Sequence, residues 1–260
     1  MKIGVPKEIK PQEHRIGLTP DSVKILTSNG NQVFFEKDGG FEAGFDDDQY
    51  KKAGAKIVNR AEDIFNDSEI IVKVKEPLSE EVKMIRENQI VFTYLHLAAA
   101  KELTQGLINS KSICIAYETV TDNNGRLPLL APMSAVAGRM SVQAGAHCLE
   151  KNQKGRGLLL GGAPGVNPGN VVILGGGVVG ENAAIIATGL QAKVHVVDKS
   201  EERLKQLKDM FGDKIIPQHS DKVDLERLIS ECDLLVGGVL IPGAEAPKLV
   251  TKNMLKKMKR

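Results

Sequence analysis

The chain has 260 residues, 42% of them hydrophobic and 26% charged, which is the composition of an ordinary globular protein and excludes a disordered or collagen-like chain. The formal net charge is only +2 and tryptophan is absent, so neither a basic nucleic-acid surface nor a groove of stacked aromatic rings is expected. A membrane span needs about 18 consecutive apolar residues, and no stretch of the chain approaches that length. The N-terminus also lacks the apolar segment of a secretory signal. We therefore expect a cytoplasmic protein with no membrane partner.

The three cysteines, Cys114, Cys148 and Cys232, lie far apart in the sequence and include no C-x-x-C pair. This arrangement favours neither a disulfide framework nor a cysteine-rich zinc site. Because each cysteine has apolar neighbours, we expect buried, reduced thiols. No spacing resembles a cluster of histidine and carboxylate ligands, so we expect no metal.

The first half of the chain alternates short apolar runs with amphipathic segments of helical length. The predicted strands are 2–5, 32–36, 70–74, 90–94 and 112–116. The predicted helices are 21–28, 46–53, 61–66, 80–86 and 100–108. Thr19 followed by Pro20 is typical of a helix start. This alternation predicts a parallel sheet covered by helices on both faces.

The second half begins with a long helical pattern, 134–150, whose many small residues favour close packing and which we expect to connect two domains. The glycine- and proline-rich segment 155–169 is expected to form an exposed loop. A second alternation follows. Its predicted strands are 171–174, 193–197, 214–216 and 234–236, and its predicted helices are 178–189, 201–210, 224–230 and 252–259.

The strongest motif is a glycine loop. Gly175, Gly177 and Gly180 form a G-x-G-x-x-G pattern directly after a predicted strand and at the start of a predicted helix. The first glycine permits the tight turn, the second lets a pyrophosphate approach the backbone, and the third lets the helix pack closely on the strand. The helix N-terminus offers N–H groups and the positive end of its dipole to the phosphates. The motif therefore predicts a dinucleotide site.

Asp198 ends the next predicted strand, near the spacing of about 20 residues at which an acidic side chain accepts hydrogen bonds from the ribose of adenosine. Its charge would repel the 2′-phosphate of NADP and so favours NAD, although the nearby Lys199 and Arg203 weaken that preference. FAD, an adenosyl cofactor and a strand–turn–helix unit with no ligand are the alternatives that this pattern leaves open.

Three residues of the first half follow predicted strands, where parallel sheets deliver functional groups. Arg15 follows the first strand, Lys75 the third and His96 the fourth. Hydride transfer on an amino or keto acid needs cations for the carboxylate and a proton carrier, which these residue types supply. Each also has an ordinary structural explanation: a surface arginine, a solvated lysine at a strand end and a half-buried histidine bonded to backbone.

Four separate segments carry a family resemblance, in order and across essentially the whole chain: MKIGVPKEIKPQEHRIGLTPDSV, IIVKVKEPL, TYLHLA and VVILGGGVVGENAA. With them, and with the linking segment LLAPMSAVAGRMSVQAGAHCLE, the chain resembles the alanine dehydrogenases, a family that extends to the alpha subunits of nicotinamide nucleotide transhydrogenases. The resemblance implies two Rossmann-like parallel-sheet domains joined by a long helix. We expect a substrate domain at 1–130 and an NAD-binding domain at 131–260.

The resemblance also implies an activity, which is the reversible, NAD-dependent deamination of L-alanine to pyruvate and ammonium by a homohexamer. Hydride would pass from the substrate Cα to C4 of the nicotinamide in the cleft between the domains. Arg15 and Lys75 would bind the substrate, and His96 would act as general acid and base. The implied NAD contacts, besides the three glycines, are Met133, Ser134, Val178, Val179, Asp198, Arg203, Ser220, Val239 and Leu240.

By the same resemblance, family members continue well past Arg260, and the segment that carries their catalytic aspartate lies in that continuation. We therefore expect a second domain truncated at its C-terminal end, with fewer strands than the usual doubly wound sheet. We expect such a chain to be poorly active and still able to bind NAD. Two alternatives stay open: a transhydrogenase-like NAD(H) subunit that works with a membrane-bound partner, and a non-catalytic NAD-binding module.

Overall fold

A computed structural model describes residues 1–241 and 246–259 of the chain. Contacts between residues divide the chain into two compact units, Met1–Leu127 and Pro128–Arg260. Within the described ranges, no helix combines the length and the apolar character needed to cross a lipid bilayer. Each unit contains its own parallel sheet.

The first unit is a six-stranded sheet with helices between its strands. The strands are β1 (Lys2–Val5), β2 (Gln32–Glu36), β3 (Lys56–Val58), β4 (Ile70–Val72), β5 (Ile90–Thr93) and β6 (Ile113–Ala116). The helices are α1 (Pro20–Ser28), α2 (Asp47–Lys52), α3 (Ala61–Asp67), α4 (Ser79–Val82) and α5 (Lys101–Ser110). All strand pairs are parallel, in the order β3-β2-β1-β4-β5-β6. This order puts a topological switch point between β1 and β4, where open α/β sheets bind ligands at the carboxyl ends of their strands.

Apolar side chains cover both faces of this sheet in two clusters, one around Phe35 and Tyr50 and the other around Phe65 and Ile71. The rings of Phe35 and Tyr50 stack with centroids 3.6 Å apart. The buried Tyr50 hydroxyl donates to the carbonyl of Leu18 at 2.9 Å, so its polar atom is satisfied. The alternation of strand and helix therefore buries the core that the sequence pattern predicts.

Three predictions for this unit need correction. The pattern did not predict β3, because an edge strand of three residues is too short to give a periodic signal. The strand predicted at 70–74 ends at Val72, and the N–H groups of Val74 and Lys75 donate to a buried carboxylate described below. The helix predicted at 80–86 is the short α4. By contrast, α1 starts as predicted, with Pro20 at its first position and the Thr19 side chain accepting from the N–H of Ser22.

The second unit is built on a four-stranded sheet. Its strands are β7 (Asn170–Leu174), β8 (Lys193–Asp198), β9 (Ile215–His219) and β10 (Leu234–Gly237). Its helices are α6 (Ala131–Cys148), α7 (Val178–Gly189), α8 (Glu201–Phe211), α9 (Leu225–Glu231) and α10 (Lys252–Lys256). All pairs are parallel, in the order β10-β7-β8-β9. One of the two interior strands, β7, leads into the glycine loop.

Helix α6, which was predicted as a connector, belongs to the second unit and packs along α7. A Cβ at Gly138 would lie 2.2 Å from the carbonyl oxygen of Val179, and one at Gly145 would lie 2.4 Å from the side chain of Leu234. The small residues of α6 thus permit the close helix packing that the sequence favours.

Two local predictions in this half are wrong. Cys148 is exposed and only Cys232 of the three cysteines is buried, because the covered positions of α6 are Gly138 and Val142. The segment 155–169 is not uniformly exposed either, since Leu160 packs into the core of the unit. In both cases the packing of the helix or loop, rather than the character of neighbours in sequence, decides which side chain is covered.

Candidate functional site

Gly175 forms the turn at the end of β7. Its φ of +95° lies in the left-handed region that favours glycine, and a Cβ there would stand 2.9 Å from the carbonyl oxygen of Gly238. Its N–H donates to the carbonyl of Val197 at 2.8 Å, which ties the turn to β8. Both the conformation and the close approach therefore require glycine at this position.

The other two glycines of the motif meet different demands. A Cβ at Gly180 would lie 1.9 Å from the carbonyl oxygen of Gly175, so no side chain fits where α7 crosses the end of β7. A Cβ at Gly177 would meet no atom within 4 Å. Gly177 is the N-cap of α7, with no side-chain cap on the first N–H groups of the helix. The loop thus has a tight turn, a tight crossing and, between them, open backbone that fits a pyrophosphate.

Asp198 lies beside this loop at the end of β8. Its Oδ2 accepts a hydrogen bond of 2.6 Å from the N–H of Gly176, and its Oδ1 accepts one of 2.9 Å from the N–H of Ser200. These two bonds fix the carboxylate next to the glycine loop. An ionised carboxylate has further acceptor sites beyond these two, which is what contact with ribose hydroxyls requires.

Arg203, on the first turn of α8, reaches the same loop. Its Nε donates to the carbonyl of Gly176 at 2.6 Å, its Nη1 donates to Gln206 at 3.1 Å, and its Nη2 forms an ion pair with Glu181. The sequence predicted Arg203 as a cofactor contact but missed Glu181. The signal was present, since Glu181 directly follows the third glycine, yet the pairing depends on contact between α7 and α8.

The remaining predicted cofactor contacts fall around the carboxyl end of the second sheet. Ser220 follows β9 and its N–H donates to the carbonyl of Asp198 at 3.0 Å. Val239 follows β10, and its side chain lies 3.0 Å from the position that a Cβ of Gly175 would take. The other five are Val178 and Val179 at the start of α7, the exposed Leu240 after β10, and Met133 and Ser134 on the first turn of α6.

In the first unit, Arg15 lies in the loop after β1 and is paired with Glu13. Its Nε and Nη2 donate to the two carboxylate oxygens of Glu13 at 2.7 and 2.6 Å. The hydrogen bond from Arg15 lowers the pKa of Glu13 to about 2, and the nearby charge of Lys75 acts in the same direction. Glu13 thus holds the guanidinium in one orientation, and Lys75 lies close to this pair.

Lys75 follows β4, in backbone held by a buried triad of charges. The Oε1 of Glu8 accepts from the N–H groups of Val74 and Lys75 at 2.6 and 3.3 Å. The buried ammonium of Lys73 lies 3.2 Å from Glu8 and 2.7 Å from Glu81. Burial raises the pKa of Glu81, against the opposing charge of Lys73. The triad therefore anchors the loop that carries Lys75, and no local pattern in the sequence indicates that Glu8 is buried.

His96 follows β5 in a left-handed conformation, with φ of +50° and ψ of +38°. The carboxylate of Glu118 accepts from its N–H at 2.6 Å and from that of Leu95 at 3.0 Å, which holds this strained backbone. The Nδ1 of the ring lies 3.5 Å from Oε2 of Glu76, whose Oε1 is paired with Lys10. More than half of the His96 side chain is exposed, so a small substrate has access to it.

Arg15, Lys75 and His96 therefore all lie at the carboxyl ends of β1, β4 and β5, next to the switch point of the first sheet. The side chains of Arg15 and His96 lie beside Glu13 and Glu76, and the backbone N–H of Lys75 donates to Glu8. Among residues 1–241 and 246–259 there is no group of three or more His, Cys, Asp or Glu that could hold a metal ion.

Two family models together match almost the whole chain. The model described as Alanine dehydrogenase/PNT, N-terminal domain, matches residues 4–137, and the corresponding C-terminal domain matches residues 141–260. The chain belongs to the alanine dehydrogenase/PNT family. The predicted family and the predicted fold class, two α/β domains with parallel sheets, are thereby confirmed.

Named relatives agree with this membership. An alanine dehydrogenase from Halomonas elongata is 52% identical over 259 residues, which are 100% of this chain and 70% of that protein. A solved L-alanine dehydrogenase has a TM-score of 0.90 and 52% identity, covering 100% of this chain and 72% of its own. A transhydrogenase from Sinorhizobium meliloti has a TM-score of 0.82 and 25% identity, covering 100% of this chain and 76% of its own. The sequence is thus much closer to the alanine dehydrogenases of the family than to this transhydrogenase.

Proposed function

We propose that the chain functions in the reversible, NAD-dependent oxidative deamination of L-alanine to pyruvate and ammonium. The observation that carries this proposal is the glycine loop with Asp198 bonded to its backbone, in a chain 52% identical to an alanine dehydrogenase. In this proposal residues 1–130 bind the amino acid and residues 131–260 bind the dinucleotide. The hexameric assembly implied by the family resemblance and the cytoplasmic location expected from the sequence stay predictions.

The second unit would hold the cofactor through groups already oriented for it. The free N–H groups at the start of α7, beside the open backbone of Gly177, would bind the pyrophosphate. Asp198 would accept hydrogen bonds from the ribose of adenosine. Bound NAD would supply the acceptor for the hydride that leaves Cα of the amino acid.

The first unit would bind and orient the amino acid. Arg15, held in place by Glu13, would bind the substrate carboxylate, since a guanidinium matches a carboxylate with parallel N–H donors. Lys75 would bind the carbonyl side of the keto acid, and the hydrogen bonds from its loop to Glu8 would fix its position. Holding the reacting atoms in one geometry is the main contribution of such residues to the rate.

His96 would move the protons of the reaction. Its Nδ1 faces Oε2 of Glu76, a buried oxygen with no hydrogen-bond partner among the described residues. A proton on Nδ1 would satisfy that oxygen and would leave Nε2 as the basic nitrogen that faces the substrate. From Nε2 the ring would take a proton from the amino group, or from the water that adds to Cα after oxidation, and return it in the reverse reaction.

The transhydrogenase-like alternative rests on the structural likeness to the transhydrogenase of Sinorhizobium meliloti. The same dinucleotide residues would serve that reaction, but the first unit would then have no amino acid to bind. The difference in identity, 52% against 25%, favours the alanine reaction.

The proposal is tested by measuring NADH formation with L-alanine as substrate. Two preparations are compared: this chain, and a chimera that continues with the C-terminal part of the Halomonas elongata relative, which extends beyond the 259 aligned residues. Alanine-dependent NADH formation in either preparation, lost on Gly177→Ala, supports the proposal. NADH binding without turnover in both would contradict it and favour the non-catalytic module. Hydride exchange between two dinucleotides without alanine would favour the transhydrogenase-like function.

A further inference from the structure

All three nitrogens of the Arg203 guanidinium are hydrogen bonded within the second unit. Nε donates to the Gly176 carbonyl, Nη1 to Gln206, and Nη2 to the carboxylate of Glu181. The Arg203 and Glu181 side chains are each about three-quarters buried, with exposed fractions of 26% and 27%. The positive charge of Arg203 is therefore already matched by a carboxylate and fixed against the loop.

This cluster lies beside the residue that would contact the adenosine ribose. Gly176 links the two, because its N–H donates to Asp198 while its carbonyl accepts from Arg203. In nucleotide folds an arginine near this position accommodates the 2′-phosphate of NADP, whereas an acidic residue selects the free 2′-hydroxyl of NAD. The chain thus carries both kinds of residue side by side, and Glu181 is paired with the arginine.

We propose that Glu181 is a specificity residue, which selects NAD over NADP by keeping Arg203 paired and unable to act as the counter-ion of a 2′-phosphate. The inference rests on the proposed dinucleotide function and assigns a separate role to one residue of that site. Glu181, Asp198 and Arg203 together carry a net negative charge, so a 2′-phosphate meets repulsion with no available guanidinium to offset it.

The expected size of the effect follows from Coulomb's law. A unit charge acting on a dianionic phosphate from about 6 Å changes affinity about tenfold, even at the dielectric constant of water. Glu181→Gln removes the negative charge that neutralises Arg203, while glutamine keeps the size of the side chain. We therefore expect about tenfold tighter NADPH binding, with NADH affinity changed less than about threefold.

The experiment measures dissociation constants of NADH and NADPH by fluorescence titration of the chain, without any turnover. The variants are Glu181→Gln, the double variant Glu181→Gln with Arg203→Gln, and the control Glu201→Gln. Glu201 lies on the same helix as Arg203, but it is exposed and paired with Lys222 at 2.8 Å, so its substitution removes an equal charge without touching Arg203. Circular dichroism and thermal melting verify that each variant is folded.

The proposal predicts that the NADPH/NADH affinity ratio rises in Glu181→Gln alone, and returns to the original value in the double variant. An unchanged ratio in a folded Glu181→Gln variant that still binds NADH would overturn the proposal. An equal rise in Glu201→Gln would also overturn the proposal, since loss of any nearby negative charge would then suffice. A rise that persists in the double variant would overturn it too, since the counter-ion of the 2′-phosphate would then be another residue, such as the exposed Lys199. A folded wild-type chain that binds neither dinucleotide would instead refute the proposed function itself.

Discussion

The crossing of α7 over the end of β7 gives the sharpest prediction about stability. Gly180→Ala places a Cβ 1.9 Å from the carbonyl oxygen of Gly175, far inside van der Waals contact, and the obstructing atom is backbone that cannot rotate away. Overpacking of this kind costs about 3 kcal/mol, at the upper end of the usual range, because the helix must shift as a body. Alanine gains about 1 kcal/mol over glycine in a helix, so the net loss is about 2 kcal/mol.

The assay is thermal and urea-induced unfolding of the purified chain, followed by circular dichroism. A loss of about 2 kcal/mol corresponds to a fall in Tm of about 5 °C for a chain of this size. Two matched substitutions serve as controls, since a Cβ at Gly177 or at Gly189 would meet no atom within 4 Å. We expect Gly189→Ala to keep or raise stability, and Gly177→Ala to change it by less than about 1 kcal/mol.

Binding separates the roles of the glycines further. Gly177→Ala should weaken NADH binding at least about tenfold although the protein stays folded, because its Cβ would occupy the open side of the loop. If Gly180→Ala were as stable as the parent chain and bound NADH equally well, the steric account of the third glycine would be wrong.

Three further outcomes are expected. Lys73→Met should lower the free energy of unfolding by about 3–5 kcal/mol in urea titrations, since it leaves two buried carboxylates without their cation. Substitution of the exposed Lys83 by methionine should have almost no effect on that free energy. Equal stabilities of the two variants would show that the triad is not a structural anchor. Arg15→Met should raise the Glu13 pKa from about 2 toward its ordinary 4.5 in a carboxyl NMR titration. Because folding lowers the pKa of Glu13, the ionised carboxylate stabilises the folded state fully above about pH 4.5, and this stabilisation disappears as the pH falls toward 2. The parent chain should therefore lose more stability than Arg15→Met over this pH interval. Parallel curves of unfolding free energy against pH would refute the pairing of Glu13 with Arg15. His96→Ala should lower alanine-dependent turnover by about 10²–10⁴ with little loss of NADH affinity, and equal losses in both would remove His96 from the catalytic role.

Much of the second unit follows from local sequence. The roles of Gly175, Gly177 and Gly180 depend on backbone conformation and on a strand–turn–helix order that the sequence displays directly, and the position of Asp198 follows from the length of one helix and one strand. The four strands of that sheet are long or apolar enough to be recognised. In this unit the helices and strands that the local sequence pattern favours are the ones found in the folded structure, as expected of a natural sequence.

The supporting charges were not predictable in the same way. Glu8 and Lys73 are charged residues in polar or strand-end positions, and nothing local indicates that both side chains are almost wholly buried. The contacts of Glu118 with the His96 backbone and of Glu181 with Arg203 join residues more than twenty positions apart. Such pairings depend on which helices and loops meet in three dimensions, so a single sequence suggests candidate reactive residues but not the carboxylates that contact them.

The transfer of one hydrogen atom from substrate to cofactor gives the most direct test of the proposed reaction. L-Alanine deuterated at Cα is incubated with NAD and the chimera that includes the C-terminal part of the Halomonas elongata relative, and the NADH formed is analysed by mass spectrometry. We expect the deuterium to appear in NADH, and pyruvate and ammonium to form in equal amounts. Dinucleotide binding by a folded protein with no alanine-dependent transfer of deuterium would contradict the proposed reaction.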